Sequence, residues 1–93
     1  MSSPSRRKVV LTPRFLTDYE KHLAGISRAE EALTGFKEVV ARQPENGMTA
    51  PGGPPDALVR PIHPPGRAFA IAYTYDERRV YLLALRPVPS DRF

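Results

Sequence analysis

The sequence predicts an α+β domain: a small antiparallel-type sheet packed by an N-terminal helical hairpin, in the order β-α-α-β-β-β. Three observations carry this. Apolar residues recur at helical spacing twice between residues 13 and 42. Two β-rich runs, from Arg67 to Tyr75 and from Val80 to Arg86, flank the polar stretch Asp76-Glu77-Arg78-Arg79 and read as a hairpin. Helical and β-rich stretches are segregated rather than alternating, which favours α+β over a parallel α/β arrangement. Ninety-three residues support one domain, 1–93, and a chain this short buries only about 60–65% of its unfolded surface.

Residues 1–7 are polar and basic and are expected to be flexible. Val9-Val10-Leu11 is short and β-branched, and reads as a first or edge strand. Thr12 then supplies a capping oxygen, and Pro13 suits the first helical position, where its missing N–H is no loss. Phe15, Leu16, Tyr19 and Leu23 form a stripe, and Gly25 offers a left-handed stop, giving a first helix over residues 13–24. Ser27 and Glu30 have the spacing of a capping box for a second helix over 28–42. Its apolar stripe is Ala29, Leu33, Phe36 and Val40. The short connector makes the two helices an antiparallel pair.

Residues 44–56 are rich in proline and glycine and read as a loop. Ala57-Leu58-Val59-Arg60 with Ile62 reads as a short strand, and Pro61 confines it to an edge or a bulge. Pro64-Pro65-Gly66 turns the chain into the final hairpin. That hairpin is apolar at nearly every position rather than alternating, which predicts cover on both faces, one of them from the helices. Residues 87–93 form an irregular, proline-rich tail.

The chain has no cysteine, which excludes disulfides, thiol nucleophiles and zinc–cysteine sites and suits a reducing compartment. The apolar run after the basic N-terminus is too short for a signal-peptide core or a membrane span, so the expected location is cytoplasmic, with no membrane partner. Net charge is +4, and 14 Lys+Arg include only three lysines, Lys8, Lys21 and Lys37. Arginine grips phosphate and carboxylate bidentately, so RNA, DNA or an acidic protein would each suit such a surface. GC-rich coding, which raises Arg, Ala, Pro and Gly together, accounts for the same composition.

His22 and His63 have no second histidine or carboxylate cluster at ligand spacing, so no metal or other cofactor is expected. No phosphate-binding glycine loop or serine-based triad is present. Arg60, Arg67 and Arg86 remain, expected to converge near one end of the exposed sheet surface, with Arg78 and Arg79 at the other end. Such a cluster binds phosphates and stabilises a phosphoryl transition state. His63 lies close to Arg60 and Arg67 in sequence, and imidazole is the side chain best suited to giving or taking a proton near neutral pH, which makes it the candidate for proton transfer.

With these features in place the chain resembles the RelE/ParE superfamily of toxins from toxin–antitoxin pairs. The likeness lies in the element order, the length, the basic charge, the aromatic strand leading to Tyr73-Thr74-Tyr75-Asp76-Glu77 and the last aliphatic strand ending in Arg86. The resemblance implies a toxin that causes growth arrest and is held inactive by a cognate antitoxin. The leading expectation from this resemblance is the RelE-like branch, inhibition of translation by ribosome-dependent endoribonuclease cleavage of mRNA; the alternative is the ParE-like branch, binding to DNA gyrase without nuclease activity. By the same resemblance Arg60 corresponds to a basic residue of the second strand and Arg86 to one after the last strand. Ala70 stands where the family carries an arginine, Tyr73 occupies the family's tyrosine place, and Phe93 stands where the nuclease branch ends in tyrosine. Arg67 and His63 complete the candidate catalytic set.

Overall fold

A computed structural model describes residues 6–49, 57–64 and 67–88. It is an α+β structure with two helices on a five-stranded mixed sheet. The strands are β1 (Lys8–Leu11), β2 (Met48–Thr49), β3 (Leu58–Ile62), β4 (Phe69–Tyr75) and β5 (Arg79–Pro87), and the helices are α1 (Pro13–His22) and α2 (Ala29–Arg42). A single 3-10 turn, Pro44–Asn46, follows α2. The sheet order is β1-β5-β4-β3-β2, antiparallel throughout except that β1 runs parallel to β5.

The expected hairpin is β4–β5, and its tight turn is set by Asp76. The Asp76 carboxylate accepts from the amides of Arg78 and Arg79, both at 2.8 Å. Those two hydrogen bonds hold its carboxyl below the ordinary aspartate range.

At the start of α1 the Thr12 hydroxyl accepts from the Phe15 amide at 3.3 Å, as the sequence suggests, and donates to the Leu82 carbonyl at 2.7 Å. One side chain therefore caps the helix and ties it to β5. Gly25 takes the left-handed backbone, φ 89°, that ends the helical run. The capping box at Ser27 does not form. Arg28 is the N-cap, in the left-handed region at φ 62°, and no side chain accepts from the first turn of α2. The stretch between Gly25 and α2 is taken up by backbone turns, with the Ile26 amide donating to Leu23 and the Ala29 amide to Ile26, so the serine is displaced from the capping position.

Phe15, Leu23, Leu33, Phe36 and Val40 of the helical half meet Ile62, Phe69, Ile71, Tyr73, Val80, Leu82 and Leu85 of the sheet in one core. On β5 the inward residues are Val80, Leu82 and Leu85, a spacing that strict alternation cannot give. The break is a bulge: Ala72 pairs with Ala84 but Tyr73 with Leu82, leaving Leu83 as the extra residue. The Leu85 amide beside it donates to the Asp18 carboxylate of α1 at 3.0 Å.

Five expectations change. The first strand is a parallel neighbour of the last, so the sheet is mixed. The stretch read as a loop contains the 3-10 turn and the two-residue strand β2, both within its described part. Cover on both faces is not found: among the described residues the helices pack on one face only, and Ala70, Ala72, Tyr81, Leu83 and Ala84 on the other stay part-exposed. The irregular tail begins inside β5, which runs to Pro87, and the Val88 amide donates to Ala68; residues 89–93 lie outside the described residues. Arg6 and Arg7, expected to be flexible, make defined contacts. Arg6 pairs with Glu38 at 2.9 Å, while Arg7 donates from Nε to the Asp76 carbonyl and lies 5.3 Å from the centre of the Tyr75 ring.

Candidate functional site

Strand register decides which side each basic residue takes. On β3, Leu58 and Ile62 pack into the core, so Arg60 between them projects toward the helices. Its Nη1 donates to the Gln43 carbonyl at the end of α2, at 3.1 Å. Arg86 pairs with Ala70, one step from the inward Leu85–Ile71 pair, and therefore belongs to the opposite, open face. The expected convergence of Arg60 and Arg86 does not occur: the two guanidinium groups are separated by the sheet. Arg67 is exposed just before β4, and His63 is exposed just after β3, at the same end of the sheet as Arg86.

Two surfaces result. The first is the open sheet face. Val10, Val59, Ala70, Ala72, Tyr81, Leu83 and Ala84 are part-exposed and contribute nothing to the helix-side core. Lys8 and Arg79 are direct neighbours across β1 and β5 at one end of this face, and Arg86 closes the other end. Lys8 and Arg79 are adjacent like charges, and the Asp76 carboxylate beside Arg79 offsets part of that positive charge.

The second surface is a groove of about 270 Å³ between α2 and β3, lined by Ala32, Gly35, Phe36, Val39, Arg60, Pro61, Ile62 and His63. Ala32, Gly35, Phe36 and Val39 fall on one helical face, and Arg60 and His63 supply the polar lip.

What holds Arg60 in place is a contact that sequence reasoning missed. The buried Tyr73 hydroxyl donates to the Pro44 carbonyl at 2.6 Å, pinning the 3-10 turn to β4. Burial raises the Tyr73 phenol above its ordinary value, with the Arg60 charge pulling the other way. Gly47 packs so closely on this pair that an added Cβ would lie 2.9 Å from Leu58 Cβ and 3.0 Å from Tyr73 Cζ. Only the paired aromatic spacing of Tyr73 and Tyr75 hinted at any of this.

Among the described residues no charged side chain is buried, and no group of three or more His, Cys, Asp or Glu is placed to hold a metal ion. No described helix is long and apolar enough to cross a membrane. No protein-family model matches the chain, and no curated protein matches it.

Proposed function

We propose that this chain acts by binding rather than by cutting: a toxin of the RelE/ParE type, in its ParE-like form, that occupies a protein target such as DNA gyrase and is neutralised by a cognate antitoxin. The element order and basic charge support the toxin reading through the resemblance described above. The separation of Arg60 from Arg86 by the full thickness of the sheet supports the non-catalytic branch, because a phosphoryl transition state needs its cations within contact of one phosphate. The open face, apolar in the middle and basic at both ends, has the character of a docking surface. On this reading Lys8, Arg79 and Arg86 steer an acidic partner and the alanine-rich centre seats it.

The test is induction of the chain alone in bacteria. Growth arrest with inhibited gyrase and intact mRNA is expected, and Ala72→Glu, which puts a charge in the middle of the open face, should abolish arrest while the variant keeps its circular dichroism spectrum. Clustered mRNA cuts during arrest would refute the binding branch. Absence of any arrest would refute the toxin reading.

One observation favours a second reading. Arg60 and His63 line the same groove, so a RelE-like cleavage of ribosome-bound mRNA would use that pair, with Arg67 beside it, and leave Arg86 aside. His63→Ala removing mRNA cuts, with binding to ribosomes kept, is the result this reading expects.

A further inference from the structure

We propose that the groove between α2 and β3 is a second docking site, separate from the open sheet face, and that it takes an acidic amphipathic segment of a protein partner. The inference goes beyond the sheet-face reading and does not depend on it.

Gly35 is the first observation. A glycine in the middle of a 14-residue helix costs stability relative to alanine, and here nothing within 4 Å would obstruct a Cβ. Space inside the fold therefore does not require it. What a bare helical backbone allows is close approach by something from outside, and the bare patch opens into the groove.

The second observation is the exposed apolar lining. Val39 is 45% exposed, although it lies between the buried Phe36 and Val40 in sequence and shares the groove with Phe36 and Ile62. Burying that surface would be favourable.

Charge selects the partner. Arg60 is held over the groove by the Gln43 carbonyl, and among the described residues no carboxylate lies within ion-pair distance of it. His63 adds a second donor on the same lip. The two acids that adjoin lining residues along α2 are already paired: Glu38 is shared between Arg6 at 2.9 Å and Arg42 at 3.6 Å, and Glu31 pairs with Arg28 at 3.0 Å. A partner thus gains most by placing apolar side chains over Gly35, Phe36, Val39 and Ile62 and a carboxylate on Arg60. Arg60 presents its guanidinium already oriented, so less rotamer freedom is lost on pairing.

The experiment is selection of random 16-residue peptides, displayed on phage, against the whole folded chain, followed by fluorescence anisotropy of the selected peptides in solution. The expected peptides carry Asp or Glu beside apolar residues at helical spacing. Gly35→Leu should weaken their binding at least tenfold without lowering the thermal midpoint, since its side chain fills the groove and not the core. Arg60→Gln should weaken them too, whereas Ala72→Glu on the other face should leave them unaffected. The proposal is overturned if selection yields no peptide, if the selected peptides lack acidic residues, or if their binding is indifferent to Gly35→Leu. It is equally overturned if a random single-stranded RNA oligonucleotide binds and Gly35→Leu abolishes that binding, because the groove would then serve nucleic acid. Failure here leaves the arrest phenotype of Ala72→Glu intact, so the two readings fall separately.

Discussion

Removing the Tyr73 hydroxyl and adding one carbon at Gly47 perturb the same few ångströms from opposite directions, and their combination tests whether that contact holds the end of α2 in place. Tyr73→Phe keeps the ring in the core but leaves the Pro44 carbonyl, on a buried residue, without its donor at 2.6 Å. Loss of a buried partner of this kind costs about 1–3 kcal/mol. Gly47→Ala has no conformational penalty, because its backbone is extended at φ −80° and ψ 172°. Its cost is steric: the new Cβ runs into the Tyr73 hydroxyl and the rigid Leu58 Cβ, and overpacking of this sort costs about 1–3 kcal/mol. In the double variant the hydroxyl that the added Cβ would strike is gone, so its cost should fall short of the sum of the two single costs by about 0.5–2 kcal/mol. Urea unfolding of the four proteins measures this. In a domain of this size each kcal/mol is also worth about 4–8 °C of Tm. Strict additivity, or a Tyr73→Phe variant within about 0.3 kcal/mol of the parent by that cycle, would refute the account. Because the same turn carries Gln43, which holds Arg60, the Tyr73→Phe variant should also lose some of the groove's affinity for acidic peptides.

Other perturbations follow from single contacts. Asp18→Ala leaves the Leu85 amide beside the bulge without its acceptor, and chemical denaturation should show a loss of about 1–2 kcal/mol. Arg28→Gly relieves a left-handed backbone at a residue whose ion pair with Glu31 is exposed, so stability should rise by about 0.5–1 kcal/mol in the same assay. Asp76 has a folded-state pKa below its ordinary value of 3.8, so the stability it contributes is fully present above that value and is lost as pH falls through the lower one. Stability curves from neutral to acid pH should therefore flatten in that window for Asp76→Asn. Tyr19 and Tyr73 have raised values, both chiefly through burial, so folding protects them from ionisation: their contribution is present below the unfolded tyrosine range and is lost as pH climbs through the raised values. Absorbance titration of the folded chain should show both phenols ionising later than in denaturant.

Local chemistry was readable from the chain alone. Thr12-Pro13 started α1, Gly25 ended it, the stripe of Leu33, Phe36 and Val40 buried itself, and the polar run at Asp76 made the hairpin turn, because each depends on residues a few positions apart. Ser27 misled for a reason of the same scale: the turn after Gly25 placed Arg28, not the serine, at the cap. What sequence could not decide was side. The parallel pairing of β1 with β5 joins residues about 70 positions apart, and the extra Leu83 in β5 resets the alternation that assigns a residue to core or surface. The extra Leu83 puts Arg86 on the open face, while the alternation of β3 around Leu58 and Ile62 puts Arg60 under the helix. A pattern of arginines along the chain carries no sign of the sheet between them, since a one-residue change of register sends a side chain to the opposite face.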